Sequence, residues 1–359
     1  MFDGSSIDGF ARINESDQRL VPDLDTFQVM PWRPKEEGVA RMICDVYNPD
    51  GTPFEGCPRG ILKRVIREAA ELGYELNMGP EGEFFLFYTD DSGSPTMNIH
   101  DQAGYFDLAP TDCGEDCRRD IVLTMKKMDF RIEASHHEVA PGQHEIDFKY
   151  DEALKTADKW VTFRDAVKNI AKQHGLYATF MPKPLPEKNG SAMHCNQSLF
   201  TSGDNIFYDP EGDYELSDTA IYYLGGLLKH AKGMTAIGNP IINSYKRLKP
   251  GFEAPTHIAW SNTNRSTLIR VPAVRGRGTR IELRNPDPIA NPYLAFAVML
   301  KAGLDGVKNQ IEPPVPVEDD IHHLSAKKRA ALDIEHLPRD LYRALKEMEN
   351  DPLIEETIG

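Results

Sequence analysis

The sequence predicts an α+β fold with a largely antiparallel sheet whose polar face lines a cavity. Three observations predict this. Strand-like and helix-like segments follow one another irregularly, without the repeating alternation that builds a doubly wound parallel sheet. Several strands place acids, arginines or histidine on one alternating face and apolar residues on the other. Hydrophobic residues make up 40% of 359, enough for one large domain or for a large domain with a small one.

Residues 1–54 read as strand-and-turn material. Phe27–Met30 and Ala40–Val46 are expected strands, separated by the polar run Arg33–Gly38 and followed by the turn cluster Asn48-Pro49-Asp50-Gly51. Arg59–Leu72 has the spacing of an amphipathic helix, with Gly73 placed to close it. Glu83–Tyr88 is an aromatic-rich strand and Asp90–Pro95 a loop. Further helices are expected at Asp116–Met128, Glu152–Gln173, Ser217–Met234, Pro292–Val307 and Pro338–Met348. Further strands are expected at Arg131–Ala134, His144–Phe148, Tyr177–Met181, His194–Phe200, Thr267–Val271 and Thr279–Arg284.

The totals exclude some function classes. A formal charge of −15 argues against a nucleic-acid or anionic-membrane partner. No charge-free run approaches the roughly 20 apolar residues of a membrane span, and MFDGSSIDGF has no signal-peptide pattern, so a cytoplasmic protein is expected. The five cysteines, Cys44, Cys57, Cys113, Cys117 and Cys195, have neither disulfide-framework nor zinc-site spacing.

Chemistry concentrates on the strands. Positions two apart share a face, so Glu81 lies with Glu83, and Glu282 lies with Arg280 and Arg284. His194, Asn196 and Ser198 form a third polar face, backed by Met193, Cys195 and Leu199. Glu138 and Glu145 flank Pro141-Gly142, a turn able to fold them onto adjacent strands. One such face is what any half-exposed strand shows; several in one chain point to a polar sheet face lining a cavity. Oxygen-rich groups suit hard cations such as Mg²⁺ or Mn²⁺. Arginines opposite them suit carboxylate and phosphate oxygens. Cations plus arginines are what phosphoryl transfer needs.

The segments MFDGSSIDGF, NMGPEGEFFLF, ASHHEVAPGQHEIDF, NGSAMHCNQS, NSYKRLKPGFEAP, NRSTLIRVP and TRIELRNPDPIANPYLAF stand in this order along nearly the whole chain. The sequence resembles glutamine synthetase of type I, and GEDCRRDIV and DFKYDEALKTADKW are similar to its alpha branch. The resemblance implies a catalytic domain over 55–359 with an antiparallel sheet lining the active site, preceded over 1–54 by the C-terminal half of a β-grasp domain. The family's first half of that domain and its C-terminal helical tail are expected to be missing. It implies ATP-dependent ligation of ammonia to the γ-carboxylate of L-glutamate through γ-glutamyl phosphate, with two or more Mg²⁺ or Mn²⁺ ions per site. Two alternatives stand beside it: a γ-glutamyl-amine ligase and a non-catalytic structural or binding relative.

Residue by residue, the resemblance implies Glu83, Glu138 and Glu145 for the tighter ion and Glu81, His194 and Glu282 for the ion nearer the ATP phosphates. Arg247, Arg265 and Arg284 would hold glutamate beside Gly190; Arg265, also catalytic, would face phosphate with Arg270 and Arg280, with Asn196 and Ser198 on the nucleotide side. Glu253, in a flap spanning Pro250–Pro255, and Asp3 would take protons from ammonium. Arg12, in GFARINESD, would mediate inhibition by glutamine; no counterpart of the beta branch's adenylylated tyrosine is evident over Asp319–Leu337. A homo-oligomer is implied, two hexameric rings forming a dodecamer, with Asp3 donated by a neighbour. Two departures are local: Ala192 replaces a glycine, and Gly82 stands where many members have proline.

Overall fold

A computed structural model describes residues 1–7, 9, 11–12, 17–33 and 36–359. Parts of the expected Arg33–Gly38 loop and of the GFARINESD and MFDGSSIDGF segments therefore lie outside the described residues.

The large sheet has eleven strands, built around one long strand, Glu75–Thr89. Its first half pairs with Cys195–Thr201, and its second half pairs with Gln143–Phe148 and Leu176–Thr179. Along the main path the order is Trp260–Ser261, Ile269–Arg270, Ile281–Leu283, Cys195–Thr201, Glu75–Thr89, Gln143–Phe148 and Ile132–His137. Every ladder on it is antiparallel except that of Trp260–Ser261 with Ile269–Arg270. Glu81 and Glu83 sit where the long strand changes partner: Pro80 faces Cys195, while Glu81 faces Asp147 and Glu83 faces Glu145.

One face of this sheet is apolar and covered by helices Pro58–Glu71 and Ala153–Gln173, against which helix Pro292–Asn309 packs. The core runs through Leu62, Phe84, Ile146, Trp160, Phe163, Phe180, Ile281, Leu283 and Phe296, all at most 2% exposed. The alternation at Glu282 is thus realised: Ile281 and Leu283 point into the core, so Glu282 points the other way.

A three-stranded sheet of Phe2–Asp3, Asp17–Pro22 and Cys44–Tyr47 lies apart in sequence. Arg59 fastens it to the large sheet's helices. The guanidinium pairs with Asp23 at 2.7 Å and Asp45 at 2.8 Å on the small-sheet side, and with Asp158 at 2.8 Å on helix Ala153–Gln173. Burial would push its pKa down, but these carboxylates, Asp158 foremost, push it up.

Several expectations change. The expected strand Ala40–Val46 is two strands in different sheets: Ala40–Arg41 pairs with Gln28–Val29, and Cys44–Tyr47 with Asp17–Pro22. The expected helix Ser217–Met234 divides into Asp218–Lys229 and Ala231–Gly238 at His230, whose two ring nitrogens are held by Asp351 at 2.7 Å and Asp305 at 3.0 Å. The strand expected at Glu83–Tyr88 begins at Glu75, across Gly79, Pro80 and Gly82. Strands Asp17–Pro22 and Pro95–Ile99 and helices Ala326–Ala331 and Pro352–Ile358 were not expected. No described helix is long and apolar enough to cross a membrane.

Candidate active site

The polar face of the sheet opens into a cleft of about 850 Å³. Glu81, Glu83, Glu138, Glu145, His194 and Glu282 line it, as do Gly190, Arg247, Glu253, Arg265, Arg270 and Arg284. Glu81 and Glu282, far apart in sequence, thus meet across the intervening strand Cys195–Thr201. A second cleft of about 380 Å³, beside the small sheet, is lined more by apolar groups such as Tyr47, Phe54, Ile66 and Leu154.

Two groups within the polar cleft have metal-ligand spacing. In the first, His194 Nδ1 lies 2.9 Å from Glu81 Oε2 and 3.7 Å from Glu282 Oε1. Asn196 Nδ2 donates to Glu81 Oε1 at 3.0 Å, and Arg280 Nε donates to Asn196 Oδ1 at 3.0 Å. Asn196 and Arg280 therefore stand one and two hydrogen bonds behind the cleft wall. Arg270 and Arg284 flank Glu282 at 2.9 and 3.2 Å.

In the second group His136 Nε2 lies 3.0 Å from Glu138 Oε1 and 3.7 Å from Glu145 Oε2. The sequence reading put Glu83 here. Glu83 does line the cleft, but its Oε2 accepts hydrogen bonds from Gln143 Nε2 and the Ala192 amide, each at 2.9 Å. Ala192 needs no glycine-like backbone, since its φ is not positive. Its role is carried by the main-chain N–H.

The carboxylates crowd one another. Burial and then the charge of Glu138 push Glu83 well above the ordinary range; burial and then Asp147 do the same to Glu145. Asp147 is pushed up to about 7 by burial and then Glu81. Burial would raise Glu81 too, but the hydrogen bond with His194 holds it at about 2. Buried Asp147 Oδ1 and His136 Nδ1 have no hydrogen-bond partner among the described residues. Crowded carboxylates, imidazoles and unpartnered donor atoms are a set that divalent cations fit, because the cations offset the like-charge repulsion.

Glu253, in the loop Pro250–Pro255, has a left-handed backbone, φ 56°, uncommon for a non-glycine, and its Oε2 accepts from Asn189 Nδ2 at 2.8 Å. Lys183 Nζ lies 3.4 Å from the Phe252 ring centre. Arg247 is buried, and its terminal nitrogens donate to the carbonyls of Arg284, Asn285 and Pro286. It fixes the loop after Glu282 from behind.

Besides Asn196 and Arg280, three residues singled out in the sequence lie outside the cleft. Ser198 is buried further along its strand, opposite Asn77. Asp3 is exposed at the end of the small sheet, its carboxylate accepting from Ser5 N at 2.9 Å and Ser6 Oγ at 2.9 Å. The Ser5 hydroxyl is foremost in holding its pKa below the ordinary carboxylate value. Arg12 is exposed. Conversely, Tyr105, His136, Asp147, Asp320 and His322 line the cleft without having been singled out. His136 and Asp147 were within reach of the strand alternation, two places from Glu138 and Glu145. Tyr105 and His322 come from outside the large sheet's strands, where no periodicity marks a side chain.

Residues 55–359 match the profile of the glutamine synthetase catalytic domain, and residues 1–49 match the glutamine synthetase beta-Grasp domain. The chain is 58% identical to glutamine synthetase of Clostridium saccharobutylicum, covering 100% of this chain and 81% of that relative. It is 57% identical to glutamine synthetase of Methanosarcina mazei, with 100% and 80% covered. Among solved structures, GmaS in complex with ADP superposes with a TM-score of 0.89 at 35% identity, over 100% of this chain and 82% of that one. Plasmodium falciparum glutamine synthetase superposes with a TM-score of 0.86 at 27% identity, over 99% and 85%. With both domains matched in order and more than half the residues identical to curated relatives, the chain belongs to the glutamine synthetase family.

Proposed function

We propose that the polar cleft is where this chain carries out its family's reaction, ligating ammonia to the γ-carboxylate of L-glutamate with ATP to give L-glutamine, ADP and phosphate. The observation that carries the reading is the meeting, across one cleft, of the Glu81–His194–Glu282 group with Arg265, Arg270 and Arg284. A carboxylate is a poor acyl donor. Phosphorylation converts it to γ-glutamyl phosphate, and the arginines stabilise the charge that moves between phosphoryl and carboxylate oxygens.

Glu81, His194 and Glu282 would hold one Mg²⁺ or Mn²⁺ ion, and Glu138 and Glu145, with Glu83 and His136 beside them, a second. When bound, such ions neutralise phosphate charge and polarise the transferred group. Arg284, Arg247 and Gly190 would orient glutamate; Arg265, Arg270 and Arg280, with Asn196 and Ser198, would serve the nucleotide side. Glu253, held at the rim by Asn189, would accept a proton from ammonium and help exclude water from the acyl phosphate. Asp3 would be the second proton acceptor. It lies away from the cleft in its own chain, which supports a homo-oligomer in which a neighbour donates it, the two-ring dodecamer being the proposed form. Residues 1–54 and 55–359 would act as the two domains. Arg12 would confer glutamine feedback, and the cytoplasm would be the compartment.

The test is ADP release coupled to glutamate, with ammonium or a small primary amine as acceptor. Ammonium-dependent release with glutamine as product is expected. Release with the amine alone would replace ammonia by an amine as the substrate, and no release with either would favour a non-catalytic role.

A further inference from the structure

Behind the second carboxylate group lies a buried polar network that the reaction as described does not use. Asp101 and His137 form its end nearest the cleft, and both are at most 6% exposed. The His137 ring spans two partners. Nδ1 lies 2.7 Å from the Glu138 carbonyl, and Nε2 lies 3.2 Å from both carboxylate oxygens of Asp101. A carbonyl and a carboxylate only accept, so both ring nitrogens donate. Asp101 Oδ1 also accepts the Gly142 amide at 2.8 Å.

The two contacts fall at the two ends of one turn. Glu138 opens it and Gly142 closes it, and the Glu138 amide donates to Gln143 O at 2.8 Å. Gly142 has φ 70°, and a Cβ there would meet Ile99 Cγ2 at 2.7 Å and Leu86 O at 3.0 Å. The turn is therefore confined on its inner side by packing and held at both ends by one ion-paired couple. Its outer side carries the Glu138 carboxylate to within 3.0 Å of His136 Nε2.

The same region contains a group of metal-ligand spacing, His100, Asp101, Asp112 and His144, all buried. A cation already sits among them. Arg118 Nη1 donates to Asp112 Oδ2 at 2.7 Å and lies 2.9 Å from His144 Nδ1. The network is thus a fixed scaffold, anchored on the long strand through His100 Nδ1 and the Leu86 carbonyl at 2.9 Å.

We propose that Asp101 is a positioning residue: through His137 and the Gly142 amide it fixes the Glu138 turn and so sets the affinity of the ion that Glu138 and Glu145 hold. The proposal rests on the reading of that group as a metal site. Partners behind ligands of this kind change metal affinity by roughly 10- to 100-fold.

Mn²⁺ titration of the full chain without nucleotide, and again with a non-hydrolysable ATP analogue, tests it. The parent protein should bind a nucleotide-independent ion that Glu138→Ala loses; if it binds none, the metal reading itself fails. Given that ion, Asp101→Asn should weaken it by at least about tenfold while leaving the nucleotide-linked ion within twofold. His137→Asn, which cannot bridge the same two partners, should do the same. Parent-like affinity in both variants would overturn the proposal. So would equal weakening of both ions, or failure of both variants to fold at 25 °C, since the pair would then hold the fold and not the ion.

Discussion

At the scale of single residues, the two carboxylate groups differ in what surrounds them. Glu81 is kept ionised by His194 and Asn196, whereas Glu83, Glu145 and Asp147 resist ionisation. The Glu138 group is the one where like charges crowd, so a cation gains most there without help from a nucleotide. The Glu282 group is flanked by Arg270 and Arg284, which already offset its charge. An ion there depends more on phosphate oxygens to complete its shell. Glu138→Ala should weaken Mn²⁺ binding with or without nucleotide. His194→Ala should weaken it chiefly with an ATP analogue present, and slow phosphoryl transfer by several kcal/mol of barrier, about the scale of a Lewis-acid metal's contribution. Titration by electron paramagnetic resonance with and without the analogue checks both, and equal effects of the two variants would defeat the division. Much of this site was legible in the sequence, because period-two alternation puts Glu81 with Glu83 and Glu282 with Arg284 whatever the tertiary context. His136 obeys the same rule but lies beyond the strand expected over Arg131–Ala134, which in fact runs on to His137. That Arg247's terminal nitrogens reach main-chain carbonyls was not legible at all, since those partners lie 37–39 residues away.

At the scale of the element, the strand Glu75–Thr89 has to be thin where it passes over the core. Gly82 shows why. A Cβ built there would meet the Phe163 ring at 2.8 Å and the Ile146 carbonyl at 2.9 Å. Phe163 is itself fixed among Phe84, Phe148, Trp160 and Phe180, with ring centres 5.3–6.2 Å apart, so it cannot yield cheaply. Gly82→Ala should therefore destabilise the protein by about 1–3 kcal/mol, the usual cost of overpacking. It should also shift the neighbouring Glu81 and Glu83 and lower metal affinity. Thermal denaturation and the same Mn²⁺ titration read the two effects, and a parent-like melting temperature would refute the steric account. The glycines and proline that hid the first half of this strand from sequence reading are thus part of how it fits. Turn and breaker signals report local preference, and here packing against Phe163 overrides it. The single helix expected over Ser217–Met234 was lost for a related reason, because nothing local marks His230 as a residue gripped by Asp305 and Asp351.

At the scale of the whole molecule, buried ion pairs join elements that are distant in sequence. Arg59, 4% exposed in its side chain, links the small sheet to helix Ala153–Gln173. Removing one partner of such a group strands the other charges, at about 3–5 kcal/mol. Arg59→Ala should cost that much in denaturant unfolding and make residues 1–54 the first to be cut by protease, while cleavage within 55–359 stays slow. His230 plays the matching part among the C-terminal helices, joining Asp305 on helix Pro292–Asn309 to Asp351, the N-cap of helix Pro352–Ile358. Lys229 also reaches Asp305, at 2.8 Å. Burial would lower the His230 pKa, but its hydrogen bonds to Asp351 and then to Asp305 raise it. A raised imidazole pKa means that the charged pair contributes its full stability below the ordinary histidine value of about 6.5 and loses it as pH rises through the folded value. Burial would raise Asp305, yet His230 and Lys229 lower it, so its contribution is present above the ordinary carboxylate range and lost as pH falls through the folded value. The clasp should be strongest between these limits. Hydrogen bonds to charged groups contribute about 1.5–3 kcal/mol each. His230→Gln should therefore lower stability by about that much at pH 6, and by progressively less as pH rises through the parent's folded value. Melting temperatures of both proteins across pH 5–9 provide the check. A difference between them that stays constant over the whole range would mean that His230 acts there by packing and not by charge.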